Sequence, residues 1–263
     1  MLAISQAIKK LNTNCALIPF ITAGDPDLKS TAKAIKYLDL AGADIIELGL
    51  PYSVPLADGT IIQNASNRAL TKGTCLDQVL NIVQLTANNI SAPIILYTYY
   101  NLVLSRGIAT FIKDISRVGI KGLLIPDLPL EESDYLNFLC TSFNIELIFL
   151  IAPTSSPKRI RNIIQKSSGC IYLVSKTGVT GIYSDIKSQV KNIIYQIKTL
   201  TNKPIILGFG ISTTKQVQQI RKLNVEGIVM GSAFVQKLSE GSPEEGINQL
   251  SQFCKEIKRT ILE

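Results

Sequence analysis

The feature that most constrains the fold is a series of eight short apolar segments that recur along the whole chain. Each segment is rich in Ile, Leu and Val and is nearly continuous, rather than alternating with polar residues. Strands buried on both faces of a parallel sheet have this character. The eight segments are residues 16–22, 44–50, 93–100, 122–127, 146–153, 170–175, 204–210 and 227–233.

Segments with helical spacing separate these strands, among them residues 28–40, 108–118, 186–200 and 217–223. Eight strand–helix units in 263 residues predict an α/β fold, the (β/α)8 or TIM barrel, as a single domain over residues 1–263. An open doubly wound sheet is the alternative, but no GxGxxG motif lies between a strand and a helix. The opening sequence MLAISQAIKKLN predicts an extra N-terminal helix that is short and amphipathic.

Composition excludes several kinds of site. The chain has no histidine, and its five cysteines are scattered without a CxxC pair. Zinc sites of the usual spacing and Ser–His or Cys–His nucleophile pairs are therefore excluded, and we expect no metal and no disulfide framework. The formal net charge of +7 is spread along the predicted helices. This favours an attraction for anionic substrates over nucleic acid binding.

The sequence also bears on the compartment. It contains neither a recognisable signal peptide nor an apolar segment of the roughly 18 residues that span a bilayer. We therefore expect the protein to work where it is made, without contact with a membrane. Frequent Ile, Asn and Lys suggest an AT-rich genome, bacterial or plastid. Bacterial cytoplasm and plastid stroma both remain open.

Two carboxylates bracket the stretch ELGLPYSVPLADG, residues 47–59. Glu47 interrupts an apolar strand, where an ionised carboxylate without a partner costs several kcal/mol or shifts its pKa. Asp58 follows two prolines, in a segment that is neither a regular helix nor a central strand. Barrels of this class carry their chemistry at the carboxyl ends of the strands and in the loops that follow. Both acids are therefore candidate catalytic residues.

Two further polar residues occupy comparable positions. Asp127 ends the fourth apolar segment, and Tyr172 lies within the sixth. Each residue could instead have a purely structural role. Asp127 precedes Leu-Pro and could cap a turn. Tyr172 could fill the core with its hydroxyl bonded to the backbone.

Glycines occur in each of the segments at the ends of the last three predicted strands, in SKTGVTG, GFGIS and GSAFVQKL. Glycine lets backbone N–H groups approach an anion, and a helix N-terminus adds positive potential. In these barrels the loops after strands seven and eight, with a short extra helix, form the common phosphate site. Candidate phosphate ligands are Gly181, Gly210, Gly231 and Ser232.

Several stretches together resemble one family, the tryptophan synthase alpha subunit. The resemblance runs nearly from end to end, in order and with similar spacing. The stretches are PFITAGDPD (19–27), ELGLPYSVPLADGTIIQNASNRAL (47–70), LLIPDLPLEE (123–132), YLVSKTGVTG (172–181), GFGIS (208–212) and GSA (231–233).

The resemblance implies a (β/α)8 barrel that cleaves indole-3-glycerol phosphate to indole and glyceraldehyde 3-phosphate. It assigns Glu47 as the general acid/base and Asp58 as the second catalytic carboxylate, with Tyr172 beside them. Thr180 would close over the site against Asp58. It further implies that the indole pocket is lined by Phe20, Tyr99, Leu124, Asp127 and Phe209.

The same resemblance implies a partner. The indole would pass to a tryptophan synthase beta subunit, which would carry pyridoxal phosphate, in an α2β2 assembly; this chain would hold no cofactor itself. In the family, the loop after the second strand contacts that subunit. Val54 stands where the family usually has Asp, Thr60 where it has Pro, and Lys176 where Arg is common.

Two other functions compete with this one. Lys176 follows the sixth strand, where barrel aldolases of the Schiff-base type can carry their lysine. Alternatively, the chain is a non-catalytic allosteric subunit that binds phosphate esters and stimulates a partner. The presence of Glu47, Asp58 and Tyr172 together argues against a non-catalytic function.

Overall fold

The structure, a computed structural model, describes residues 3–11, 15–174, 183–208 and 210–263, with the backbone alone for 183–189. Its centre is a closed barrel of eight parallel strands, paired in chain order with the last strand against the first. The predicted (β/α)8 barrel is confirmed. The strands are β1 (Ala16–Thr22), β2 (Ile46–Gly49), β3 (Ile94–Tyr97), β4 (Gly122–Leu124), β5 (Glu146–Ile151), β6 (Ile171–Val174), β7 (Ile205–Gly208) and β8 (Gly227–Met230).

Helices surround the barrel and connect consecutive strands. They are α1 (Ile4–Lys9), α2 (Leu28–Leu40), α3 (Thr60–Thr71), α4 (Leu76–Ala87), α5 (Tyr100–Arg106), α6 (Ile108–Arg117), α7 (Asp134–Ser142), α8 (Pro157–Lys166), α9 (Tyr183–Leu200), α10 (Thr214–Arg221), α11 (Ser232–Leu238) and α12 (Pro243–Leu262). The expected N-terminal helix is α1, and the expected short extra helix after β8 is α11. Among the described residues, none of the helices has both the length and the apolar character that a bilayer crossing requires.

Local sequence explains where several helices begin. The Asp27 side chain accepts a hydrogen bond from Ser30 N at the start of α2. Ser156 does the same for Arg159 N ahead of α8, with proline at the first helical position. Such caps satisfy backbone N–H groups that have no partner within the helix.

Alternation along each strand divides the core into two layers. On β1, Leu17 and Ile21 belong to an outer cluster between strands and helices, whereas Ile18 and Phe20 belong to an inner cluster inside the barrel. Helix α1 covers the amino end of the barrel, since Ile4 joins the inner cluster. Side chains of the inner cluster are therefore the ones that can reach the carboxyl end of the barrel.

Several predicted strands are too long at their carboxyl ends. The segment 93–100 ends as a strand at Tyr97, and Tyr100 already begins α5. The segment 227–233 ends as a strand at Met230, because the apolar residues after Gly231 form the first turn of α11. Short apolar runs do not distinguish a strand from the helix that continues it.

Candidate active site

Glu47 is the second of the four residues of β2 and lies on the inner face of the barrel, beside Phe20 of β1 and Ile95 of β3. Only 2% of it is exposed, and within the described part of the chain its Oε2 atom has no hydrogen-bond partner. Burial, followed by the negative charge of Asp58, raises the pKa of Glu47 to about 8. A carboxyl group with this pKa is protonated at neutral pH and can act as a general acid.

Asp58 lies in the loop between β2 and α3. Its backbone is fixed on both sides, since Asp58 N donates to Pro55 O at 3.1 Å and Gln63 Nε2 donates to Asp58 O at 2.8 Å. Tyrosine hydroxyls hold both carboxylate oxygens, from Tyr97 to Oδ1 at 3.0 Å and from Tyr99 to Oδ2 at 2.9 Å. Burial raises the pKa of Asp58, and the bonds from Tyr99 and Tyr97 oppose that rise.

Aromatic rings line the space around these two acids. The ring of Tyr97 meets Phe20 edge to face, with centroids 5.5 Å apart and planes at 84°. Tyr52, from the loop after β2, stacks on Tyr99 at 4.9 Å. The hydroxyl of Tyr99 also accepts a hydrogen bond from Ala57 N at 3.1 Å. This cluster places apolar ring surfaces beside the two carboxyl groups.

Tyr172 lies on the inner face of β6, and only 3% of it is exposed. Its pKa is raised well above the ordinary value by burial and then by the charges of Glu47 and Asp58. The hydroxyl lies against Gly208 of β7, where an added Cβ atom would come within 2.0 Å of it. Glycine at position 208 therefore leaves the space that this hydroxyl occupies.

Two predicted lining residues come from β4 and the loop after it. Leu124 is buried in the inner cluster at the carboxyl end of the strand. Asp127 accepts a hydrogen bond from Tyr100 N at 2.9 Å, which satisfies the first N–H group of α5. At least one oxygen of Asp127 therefore has a structural role, but it caps helix α5 rather than the turn that contains Asp127.

The glycine-containing loops after β7 and β8 lie on the same side of the barrel. Gly210 and Ser232 line one cavity of about 500 Å³, together with Ile61, Ser212 and Lys237. The φ angle of Gly210 is 75°, which favours glycine at this position. Gly231 lies directly before α11, close to Phe20. These residues offer backbone N–H groups and a cation to an anionic ligand.

The family follows from a direct comparison. A family model described as "Tryptophan synthase alpha chain" matches residues 6–262. The chain belongs to the tryptophan synthase alpha chain family. The alpha chain of Pyropia yezoensis is 59% identical over 262 residues, which cover 100% of each chain.

Solved structures agree with this membership. Tryptophan synthase from M. tuberculosis, in an aminoacrylate-bound form, aligns with a TM-score of 0.87 at 28% identity, covering 97% of this chain and 98% of that one. A structure described as the tryptophan synthase complex from Pyrococcus furiosus aligns with a TM-score of 0.83 at 32% identity, covering 95% and 98%.

In this tryptophan synthase alpha chain, most of the predicted site residues that the structure describes lie at one end of the barrel. Four predicted residues lie outside the described part of the chain: Thr180, Gly181, Phe209 and Lys176, the candidate Schiff-base lysine. Sequence reasoning missed Tyr97, whose hydroxyl contacts Asp58 directly. The signal was the YTYY stretch, in which Tyr97 and Tyr99 are two residues apart and therefore face the same side.

A larger cavity, of about 810 Å³, lies at the opposite end of the barrel. Its lining includes Cys15, Pro204 and Glu226, each of which directly precedes a strand. It therefore lies at the amino end of the barrel, away from the loop that carries Asp58. In this family of barrels the chemistry belongs at the other end.

Proposed function

We propose that this chain cleaves indole-3-glycerol phosphate to indole and glyceraldehyde 3-phosphate by a retro-aldol reaction, with Glu47 and Asp58 as its catalytic carboxylates. Membership of the tryptophan synthase alpha chain family supports the reaction. The observation that carries the assignment of residues is the contrast between the two acids. Glu47 is buried with its pKa raised to about 8, whereas two hydroxyl groups stabilise the ionised form of Asp58.

The reaction has three requirements. The C3 atom of indole must gain a proton before the bond to the glycerol chain can break. The ring nitrogen must be relieved of the positive charge that develops during this protonation. The glycerol hydroxyl on the adjacent carbon must lose its proton as that carbon becomes the aldehyde. The indole ring thus acts as the electron acceptor that a carbonyl group provides in an ordinary retro-aldol reaction.

Glu47 meets the first and third requirements. It gives its proton to C3, and the resulting carboxylate then accepts the proton of the glycerol hydroxyl while the carbon–carbon bond breaks. The electron pair of that bond returns to the ring, so the reaction ends with Glu47 protonated again. General acid–base catalysis of this type contributes about 10² to 10⁴ in rate.

Asp58 meets the second requirement. Its carboxylate faces the indole N–H and stabilises the positive charge that protonation at C3 creates. A fixed negative charge in a partly desolvated site stabilises a developing cation more strongly than water does. Tyr172, close to both acids, helps to orient the glycerol chain through its hydroxyl.

The remaining residues bind the two ends of the substrate. The indole pocket comprises Phe20, Tyr99, Leu124, Asp127 and Phe209. The phosphate lies against Gly181, Gly210, Gly231 and Ser232, with Thr180 closing over the site toward Asp58. Support comes from the shared position of Phe20, Tyr99 and Leu124 in the inner cluster, and from the cavity that Gly210 and Ser232 share.

The product is passed to a partner, which we propose to be a pyridoxal-phosphate-dependent beta subunit in an α2β2 assembly. The similar Pyrococcus furiosus structure is described as a complex. In this chain, Val54 is 54% exposed and Leu56 is 85% exposed in the loop that carries Asp58. Exposed apolar side chains beside a catalytic residue are suited to an interface.

The test is incubation of the chain with indole-3-glycerol phosphate, with and without a beta subunit, while released indole is measured. The parent chain alone should release indole, and Glu47→Gln should not. A parent chain that binds the substrate without cleaving it would instead support the non-catalytic subunit. Borohydride trapping with a mass increase on Lys176 would support the Schiff-base aldolase.

A further inference from the structure

The hydroxyl of Tyr97 is a second fixed contact to the carboxylate of Asp58, and the reaction as described above does not use it. Tyr97 ends β3 on the inner face of the barrel, and only 4% of it is exposed. Its ring is fixed by two edge-to-face contacts, with Phe20 at 5.5 Å and with Tyr99 at 6.0 Å. The hydroxyl therefore occupies a defined position at the mouth of the barrel.

Tyr97 and Tyr99 hold Asp58 in complementary ways. Each donates to a different oxygen of the carboxylate, at 3.0 and 2.9 Å. Tyr99 also accepts from Ala57 N, so it is bound to the backbone of the loop as well as to the side chain. Together, the two hydroxyls fix the plane of the carboxylate relative to the barrel.

We propose that Tyr97 is a positioning residue for the cleavage reaction: its hydroxyl orients the carboxylate of Asp58 from the barrel wall, so that the remaining lone pairs face the indole N–H. The inference rests on the proposed function, because it assigns a role to a residue of the same site. Tyr97 acts through Asp58 and is not itself an acid or base in the reaction.

The need for such a residue follows from where Asp58 lies. It belongs to a loop that also carries the exposed side chains of Val54 and Leu56, rather than to a strand. An aspartate side chain can rotate about two bonds, and each rotation moves the charge away from the ring nitrogen. A carboxylate offers about four lone-pair positions, so two tyrosines can hold it while others stay available to the substrate. Tyr97 is suited to this role because its own ring is packed on the rigid barrel.

The same contact favours the ionised state of Asp58. Burial raises the pKa of this carboxyl group, and the hydrogen bonds from Tyr99 and Tyr97 lower it. A hydroxyl that donates to a carboxylate stabilises the charged form and disfavours the protonated one. Loss of the Tyr97 hydroxyl should therefore raise the pKa of Asp58 and leave less of it ionised in acid solution.

The experiment compares Tyr97→Phe, which removes only the hydroxyl, with Tyr97→Leu, which also removes the ring. Rates of indole release by the full chain are measured against substrate concentration from acid to alkaline pH. We expect Tyr97→Phe to lower kcat by roughly tenfold to hundredfold, with KM within about threefold, because a hydrogen bond to a charged group is lost. The acid limb of the pH profile should move to higher pH while the alkaline limb, set by Glu47, stays in place.

Three comparisons separate this role from a structural one. Tyr37→Phe removes a hydroxyl from α2, outside the barrel, and should leave kcat and the pH profile unchanged. The circular dichroism spectrum of Tyr97→Phe should match that of the parent chain, since the ring and its packing are retained. Tyr99→Phe, which removes the other donor to Asp58, should move the acid limb in the same direction.

Three results would overturn the proposal. Turnover of Tyr97→Phe within twofold of the parent chain at every pH would show that the hydroxyl is dispensable. A fall in kcat without movement of the acid limb would show that Tyr97 does not act through Asp58. A loss in Tyr97→Leu that is absent in Tyr97→Phe would assign the effect to ring packing. If the parent chain releases no indole, the proposed function fails, and this inference fails with it.

Discussion

The charge of Asp58 raises the pKa of Glu47, although Glu47 belongs to a barrel strand and Asp58 to the loop that follows it. Burial is the larger cause of the shift, and the charge of Asp58 adds to it. Burial favours the protonated form of Glu47, whereas the hydrogen bonds from Tyr99 and Tyr97 favour the ionised form of Asp58 and oppose the effect of its own burial. This division of roles is how a pair of carboxylates performs acid and base chemistry near neutral pH.

Replacing Glu47 by glutamine should nearly abolish cleavage, because an amide of the same shape is far too weak an acid to protonate C3. Binding of a substrate analogue should stay within about tenfold of the parent, which corresponds to roughly 1.4 kcal/mol. Indole release and analogue titration measure the two quantities. Cleavage at a tenth of the parent rate would be incompatible with Glu47 as the acid/base.

The stability of the protein should depend on pH through the same residue. The folded chain holds the Glu47 proton up to about pH 8, whereas the unfolded chain releases it near 4.5. Between these values the folded state binds more protons, so the free energy of unfolding falls as pH rises, by up to about 1.4 kcal/mol per pH unit.

Glu47→Gln removes this dependence, so its stability relative to the parent chain should increase from pH 5 to pH 8. Urea unfolding of both proteins at the two values measures the difference, and other titrating groups cancel in the comparison. An equal difference at both pH values would mean that Glu47 is ionised in the folded chain.

Asp58→Asn should be severely impaired in kcat, because an amide cannot supply the negative charge that faces the indole N–H. It should also be unable to accept hydrogen bonds from Tyr97 and Tyr99 at both former oxygen positions. Steady-state kinetics of indole release is the measurement. Turnover close to that of the parent chain would reduce Asp58 to a structural residue of the loop.

An ion pair connects helix α3, which begins just after Asp58, to the loop after β1. Arg68 donates two hydrogen bonds of 2.8 Å to Asp25, of which only 1% is exposed. Arg68→Met should leave that carboxylate buried without its cation and lower the free energy of unfolding by about 1 to 3 kcal/mol. Denaturant unfolding measures the loss.

The matched control for that substitution is Arg159→Met. Arg159 pairs with Glu131, whose side chain is 69% exposed, whereas the side chain of Asp25 is only 2% exposed. Exposed pairs contribute little, so this change should stay within about 0.5 kcal/mol. Equal losses in the two variants would mean that burial of Asp25 does not set the strength of its ion pair.

The barrel was predictable because continuous apolar segments at regular spacing have few alternatives in a chain of this length. Glu47 could be identified as a candidate catalytic residue because it is polar in an apolar strand. Tyr97 was missed, although its spacing of two residues from Tyr99, a predicted pocket residue, places both side chains on the same side. The pairing of Arg68 with Asp25 joins residues 43 apart in the chain, and local pattern carries no information about such contacts. The second role of Asp127, at the start of α5, was hidden for the same reason.

The last prediction concerns the proposed beta subunit and the loop that carries Asp58. Val54, at 54% exposure, projects from this loop, whereas Asp58 in the same loop is held inward by Tyr97 and Tyr99. Val54→Asp should therefore change the stimulation of cleavage by a beta subunit more than it changes basal cleavage by the isolated chain. Rates of indole release with and without the beta subunit give both quantities.

Leu40→Asp is the control for a charge placed on an exposed apolar residue elsewhere. Leu40 is 68% exposed and ends α2, the helix that leads toward the amino end of β2 and so away from the barrel mouth. Leu40→Asp should alter neither basal cleavage nor its stimulation by the beta subunit. If Val54→Asp changes basal and stimulated rates by the same factor, position 54 acts inside the active site, and the partner must dock on another part of the barrel.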